Sequence, residues 1–180
     1  MDADERFLDF GFQYYVAARC GVRANLSPVT GNLFHHAIEM FLKARISQSI
    51  SSREMKNKFG HRLKLLWGAF KAEFSSVDLG RFDALIQMLD RFESIRYPDE
   101  IITKGAELVI ALDRKAAAST GQLSGTLVPR YEVVMADLDE LLAEVLRLSS
   151  RNPAFFIARL NYYAREALRY ENPAANFFQP

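Results

Sequence analysis

Four successive segments of this chain repeat their apolar residues at three- and four-residue steps, a spacing that suits one face of an α-helix and no strand. The first places Phe7, Leu8, Phe10, Gly11, Tyr14, Tyr15, Ala18 and Val22 in register and predicts a helix from about Asp4 to Arg23. The second, with Leu33, Phe34, Ala37, Ile38, Phe41 and Leu42 on one broad stripe, predicts a helix capped by Thr30. A third follows Gly60 with Leu63, Leu66, Trp67, Phe70 and Phe74. The fourth carries Phe82, Leu85, Ile86, Leu89, Phe92 and Ile95 and should stop near Tyr97, because Pro98 disfavours a helical conformation in the residue before it. Short connections between such helices predict antiparallel packing.

Beyond Lys104 the pattern changes. Glu107 to Leu112 and Tyr131 to Met135 are rich in Val and Ile, the composition of strands, and are expected to form a hairpin-like pair inserted at residues 105–136. Lys115 to Thr126, small, polar and Gly-containing, reads as a flexible connection between them. Helices resume with a capping box at Asp137 and Glu140, and a last helix is expected from Asn152-Pro153 to about Tyr170. The expected fold is mostly α: an antiparallel bundle of about six helices with a short β-strand pair. With 180 residues, 49% of them hydrophobic, and no internal repeat or long linker, the chain reads as one domain spanning 1–180.

A net charge of +1 supplies no global attraction to nucleic acid or anionic lipid, so a charged partner requires a local patch. One is present in sequence. Between Lys43 and Lys71 stand Lys43, Arg45, Arg53, Lys56, Lys58, Arg62, Lys64 and Lys71 against the single acid Glu54. Such a segment is suited to phosphates of RNA, DNA or nucleotides, or serves to keep a helical surface soluble. Arg147, Arg151, Arg159, Arg165 and Arg169 form a second basic run. Arg96-Tyr97, at the end of the fourth helix, suits contact with a phosphate or a base as well as the helix dipole. Cys20 is the sole cysteine, the start of the chain is acidic where a signal peptide would be basic, and no apolar run approaches the roughly 20 residues of a membrane span. A cytoplasmic protein without a membrane association is expected.

Catalytic signals are sparse. His35, Glu39 and Lys43 follow a four-residue spacing that puts them on one helix face, with His36 beside them. This reads as a solvated polar face carrying a Glu-to-Lys pair, or as a polar cluster for acid/base work or anion binding. His35 and His36 point about 100° apart around the helix, so a metal site is not expected from them. His61, at a helix start, is expected to cap or pack.

Taken in order, Gly31-Asn32-Leu33-Phe34-His35-His36-Ala37-Ile38-Glu39-Met40-Phe41-Leu42-Lys43-Ala44, then Phe59-Gly60-His61-Arg62-Leu63-Lys64-Leu65-Leu66, then Arg96-Tyr97-Pro98 resemble the HEPN superfamily of small helical nucleotide- or RNA-associated domains. The resemblance covers about Asp4 to Pro98. It implies a homodimer and, as a partner, a small nucleotidyltransferase in a toxin–antitoxin-like pair. Members that cut RNA carry an Arg followed four to six residues later by a His. Here the nearest arginines upstream of the histidines are Arg23 and Arg53, too distant to match. The resemblance therefore implies a non-catalytic module that binds a nucleotide, RNA or a partner protein. It would use Lys43, Arg62, Lys64, Arg96 and Tyr97 and need no cofactor or metal. The alternatives are a homodimeric scaffold built on Tyr14, Tyr15, Tyr162, Tyr163, Phe177 and Phe178, and an enzyme, either a divergent ribonuclease or a metal-dependent hydrolase using His35, His36 and Glu39.

Overall fold

A computed structural model describes residues 3–119 and 128–179. Among them are ten α-helices: α1 (Ala3–Arg23), α2 (Ser27–Ile46), α3 (Ser52–Lys58), α4 (Leu63–Glu73), α5 (Asp83–Phe92), α6 (Pro98–Lys104), α7 (Arg114–Ser119), α8 (Met135–Leu148), α9 (Ala154–Ala158) and α10 (Tyr162–Arg169). Two strands, β1 (Glu107–Ala111) and β2 (Arg130–Val134), complete the set. No helix among the described residues is long and apolar enough to cross a membrane.

The helix α2 is the axis of the fold, packed against α1, α4, α5, α8 and β1. Its longest contact is with α1, where Gly11 lets the Phe41 ring lie so close that an added Cβ would stand 3.0 Å from it. Phe12 meets the same ring edge-on at 5.0 Å. Leu63, Leu66 and Phe70 of α4, Ile86, Leu89 and Phe92 of α5, and Leu138, Leu141 and Leu142 of α8 close the core around it. Burial of so many large side chains is the main force available to order these helices.

Several local expectations are corrected. The second helix starts at Ser27 rather than Thr30, with Pro28 in its first turn; the Thr30 hydroxyl donates to the Leu26 carbonyl instead of capping. The helix expected to open on an Asp137 capping box begins at Met135, and Asp137 accepts from the Arg114 guanidinium at 2.9 Å. The final helix is divided into α9 and α10 because Asn161 takes an extended conformation and accepts the backbone N–H of Ala164, restarting the helix. Pro98 does interrupt the fourth helix, and it also opens α6 at a position where its missing N–H costs nothing.

The strand pair is parallel, not a hairpin, with Glu107 opposite Arg130 and Ala111 opposite Val134. Strand composition carries no direction; the connection sets it. A parallel pair requires a crossover, and the part of that connection lying within the described residues contains α7 where a flexible segment was expected. Residues 120–126 of the expected connection lie outside the described residues. The sheet reaches the core: Val133 is fully buried, and the Tyr131 ring meets Phe92 of α5 at 5.4 Å.

Candidate functional site

Helical spacing brings His35, Glu39 and Lys43 onto one face of α2, but that face is covered rather than solvated. His35 and Glu39 are 0% exposed and Lys43 is 8% exposed, because the axial position of α2 leaves it no open side here. A buried carboxylate has to be compensated, and Glu39 is. Its Oε1 accepts from Lys43 Nζ, one turn along the helix. Its Oε2 has His61 Nδ1 at 3.3 Å, His36 Nδ1 at 3.4 Å and His35 Nε2 at 3.5 Å, and Oε1 lies 3.0 Å from His61 Nδ1. All three histidines of the chain thus converge on one carboxylate. Burial alone would raise the Glu39 pKa; the contacts with His35, His36 and Lys43 outweigh it and hold the group far below the ordinary carboxylate range, so Glu39 is ionised.

His61 arrives by a local device. Two residues past the end of α3 stands Gly60, whose φ of +53° is the left-handed conformation in which its N–H closes back on the Lys56 carbonyl at 3.1 Å. The turn this makes presents His61 to Glu39 from outside, with most of the imidazole in solvent. His36 is half-way between the two environments, with Tyr14 of α1 packed beside its ring at 5.5 Å. The cluster therefore grades from a buried carboxylate to exposed imidazole.

His35 is anchored from α5: its Nδ1 lies 2.9 Å from the Leu89 carbonyl, an acceptor only, so Nδ1 carries the proton of that bond. Its Nε2 then points between two carboxylates, 3.5 Å from Glu39 and 3.9 Å from Glu93. Burial disfavours charge on this imidazole, yet the contacts with Glu39 and the Leu89 carbonyl and the fields of Glu39 and Glu93 raise its pKa. Glu93, in the turn after α5, was not foreseen. It is 57 and 58 residues from the two histidines of α2, and no spacing rule connects them.

The basic residues named from the sequence are distributed differently. Lys43 is committed to Glu39. Lys64 pairs with Asp90 at 3.3 Å, and Arg96 pairs with Glu93 at 3.4 Å while its guanidinium lies over the exposed Tyr97 ring at 5.7 Å. Arg45 pairs with Glu73 and Lys71 with Asp83. Half of the eight bases are thus paired, Lys43 with an acid of its own helix and Arg45, Lys64 and Lys71 with acids of α4 and α5. Arg53, Lys56 and Lys58 on α3 are exposed and form no ion pair among the described residues. Arg62 is also exposed, and it donates to the carbonyls of Phe59 and Lys58, which leaves its charge unneutralised. These four stand on either side of His61 in sequence. In the second run, Arg151 and Arg159 pair with Asp4 and Asp9 of α1, and Arg147 and Arg169 with Glu144 and Glu166 on their own helices.

Comparison with protein-family models, with curated proteins and with solved structures found no match.

Proposed function

We propose that this chain is a HEPN-like, non-catalytic binding module for a phosphate-bearing ligand, single-stranded RNA in the first instance. The ligand would be held at the α3–α4 corner by Arg53, Lys56, Lys58 and Arg62, with His61 between them and the Glu39 cluster behind. The observation that carries the reading is that none of these four residues has a carboxylate within ion-pair distance among the described residues, Lys58 feeling only the field of Glu54 one turn before it, in a molecule whose other named bases mostly face a carboxylate. Unpaired, exposed cations release counterions when they meet phosphates, whereas a paired lysine must first break its own bridge. His61 adds a hydrogen-bond donor for a phosphate oxygen, and exposed Tyr97 a ring for a base.

The test is titration of a fluorescent single-stranded RNA with the full chain, in a chelator-containing buffer at several salt concentrations. Four phosphate contacts predict that log K falls against log salt with a slope of about −3. The combined Arg53→Glu, Lys56→Glu, Lys58→Glu and Arg62→Glu variant should bind at least about tenfold more weakly and lose most of that slope. Binding that is absent, or equally tight in the variant, would end this reading.

A second reading, a homodimeric scaffold, has its own support. Phe155, Tyr162 and Tyr163 of the C-terminal helices are 68%, 65% and 78% exposed, the aromatic type enriched in interfaces. Phe155 is an addition from the structure; of the other aromatics expected in that role, Tyr15 and Phe178 belong to the core, Phe177 packs partly buried against it and Tyr14 packs on His36. The HEPN-like module is also expected to be a homodimer, so the RNA titration separates the two readings, while a mass measurement in solution tests the scaffold by itself: it requires a dimer that Tyr162→Ser with Tyr163→Ser dissolves.

A further inference from the structure

Two polar atoms meet beside the Glu39 cluster without making a hydrogen bond among the described residues: His35 Nε2 and Glu93 Oε2, both buried. Leaving such atoms unpaired is costly, and their orientation makes it more so. With the Nδ1 proton of His35 given to the Leu89 carbonyl, a neutral imidazole turns the Nε2 lone pair toward Glu93 Oε2 at 3.9 Å and Glu39 Oε2 at 3.5 Å. Lone pairs of three acceptors facing one another require something positive between them. One solution is a second proton on His35. The other is a cation.

Three features favour the cation. His36 supplies a third donor atom nearby: one ligand atom each from His35, His36 and Glu93 lies within 4.8 Å of the other two. A zinc-class ion with bonds of about 2.0–2.1 Å sets its ligand atoms about 3.3 Å apart, so the 3.9 Å between His35 and Glu93 closes with a small side-chain movement. The supporting contacts also have the form that metal-bound histidine and carboxylate require. The far nitrogen of His35 donates to a backbone carbonyl, and the other oxygen of Glu93 is held by Arg96 at 3.4 Å. The ligand types, imidazole with carboxylate, suit zinc and the other late first-row divalent ions and not calcium or magnesium.

We propose that His35, His36 and Glu93 form a binding site for one zinc-class divalent cation at the seam between α2 and the end of α5. Glu39 stands beside it as a further carboxylate, already held on its other oxygen by Lys43. The neighbouring set His36, Glu39 and His61 also brings its donor atoms within 4.8 Å, but there the 3.0 Å separation of His61 and Glu39 is explained by a hydrogen bond without any ion. The two sets share His36, and the proposed site rests on different residues from the phosphate-binding surface.

The test uses the full chain without a histidine tag, stripped by chelator and titrated with zinc sulfate against a colorimetric zinc chelator, with no RNA present. The expected result is saturation at one zinc per chain, and an affinity reduced at least about tenfold in His36→Gln and in Glu93→Gln, each with an unchanged helical circular-dichroism signal. The proposal is overturned if the unaltered chain takes up no zinc saturably, or if Glu93→Gln binds zinc as tightly as the unaltered chain. Where a variant loses its fold, cobalt(II) added to the unaltered chain decides: strong visible absorption of a four-coordinate ion supports the site, and the weak spectrum of the aqueous ion overturns it. Failure here leaves RNA binding in chelator untouched, and failure of RNA binding leaves the zinc titration untouched.

Discussion

Replacement of Asp139 by alanine is expected to cost the fold about 3–5 kcal/mol, seen as a fall in Tm of roughly 10 °C or more. Asp139 is 0% exposed on α8 and accepts from both the Tyr15 hydroxyl and the Arg19 guanidinium of α1. Arg19, itself buried, also donates Nε to the Ala167 carbonyl at 2.6 Å and a terminal nitrogen to the Tyr170 carbonyl. One ion pair thereby ties α1 to α8 and to the end of α10. Burial pushes the Asp139 pKa up even against the pull of Arg19 and Tyr15, whereas Tyr15 and Asp139 hold the Arg19 guanidinium charged against its own burial. The cost of the single substitution comes from the guanidinium left without its counter-charge, so Asp139→Leu combined with Arg19→Met should recover a large part of the loss. Thermal and urea unfolding followed by circular dichroism measure both. A loss below about 1 kcal/mol for Asp139→Ala would mean that the pair is open to water in solution.

Gly31→Ala is expected to destabilise by about 3 kcal/mol, at the upper end of what one added methyl costs in a packed interior. A Cβ at Gly31 would stand 2.0 Å from Cε1 and 2.1 Å from Cδ1 of Phe92. Phe92 has no free direction in which to yield, being fully buried and in contact with Tyr131 of β2. Because Phe92 immediately precedes Glu93, its displacement also moves the carboxylate that faces His35. Shortening the ring should relieve the clash: Gly31→Ala with Phe92→Leu is expected to be less destabilised than the two single changes summed. Gly31→Ala within about 0.5 kcal/mol of the unaltered chain would show that α2 and α5 do not approach as described.

The helices α1, α4, α5 and α8 were legible because each turns one apolar stripe inward, and period is a property of sequence. The strand pair was legible in place and not in direction, since Glu107–Ala111 and Arg130–Val134 have the same composition whether parallel or antiparallel. The helix α7, with sequence Arg-Lys-Ala-Ala-Ala-Ser, has no large apolar residue to mark a face, so it resembled a loop. At the site, four-residue spacing correctly aligned His35, Glu39 and Lys43. What spacing does not contain is whether that face is covered, which depends on α4 and α5 closing over α2. His61 joins the cluster through the left-handed turn at Gly60, and Glu93 through the packing of α5, so neither was reachable from the α2 pattern. The basic segment misled in part: Glu73, Asp83 and Asp90, which pair with Arg45, Lys71 and Lys64, lie outside it in the chain and beside those three in the fold, while Arg53, Lys56, Lys58 and Arg62 keep no such partner among the described residues.

The central claim is that one corner of the molecule, α3 with His61 and Arg62, meets a phosphate-bearing ligand. The most direct measurement is a backbone amide chemical-shift map of the isotopically labelled chain, recorded before and after adding a single-stranded RNA oligonucleotide in chelator. The largest shifts are expected in Ser52–Lys58 and in Gly60–Lys64, with smaller ones at His36 and Tyr97. No shifts, or shifts confined to Phe155, Tyr162 and Tyr163, would contradict it.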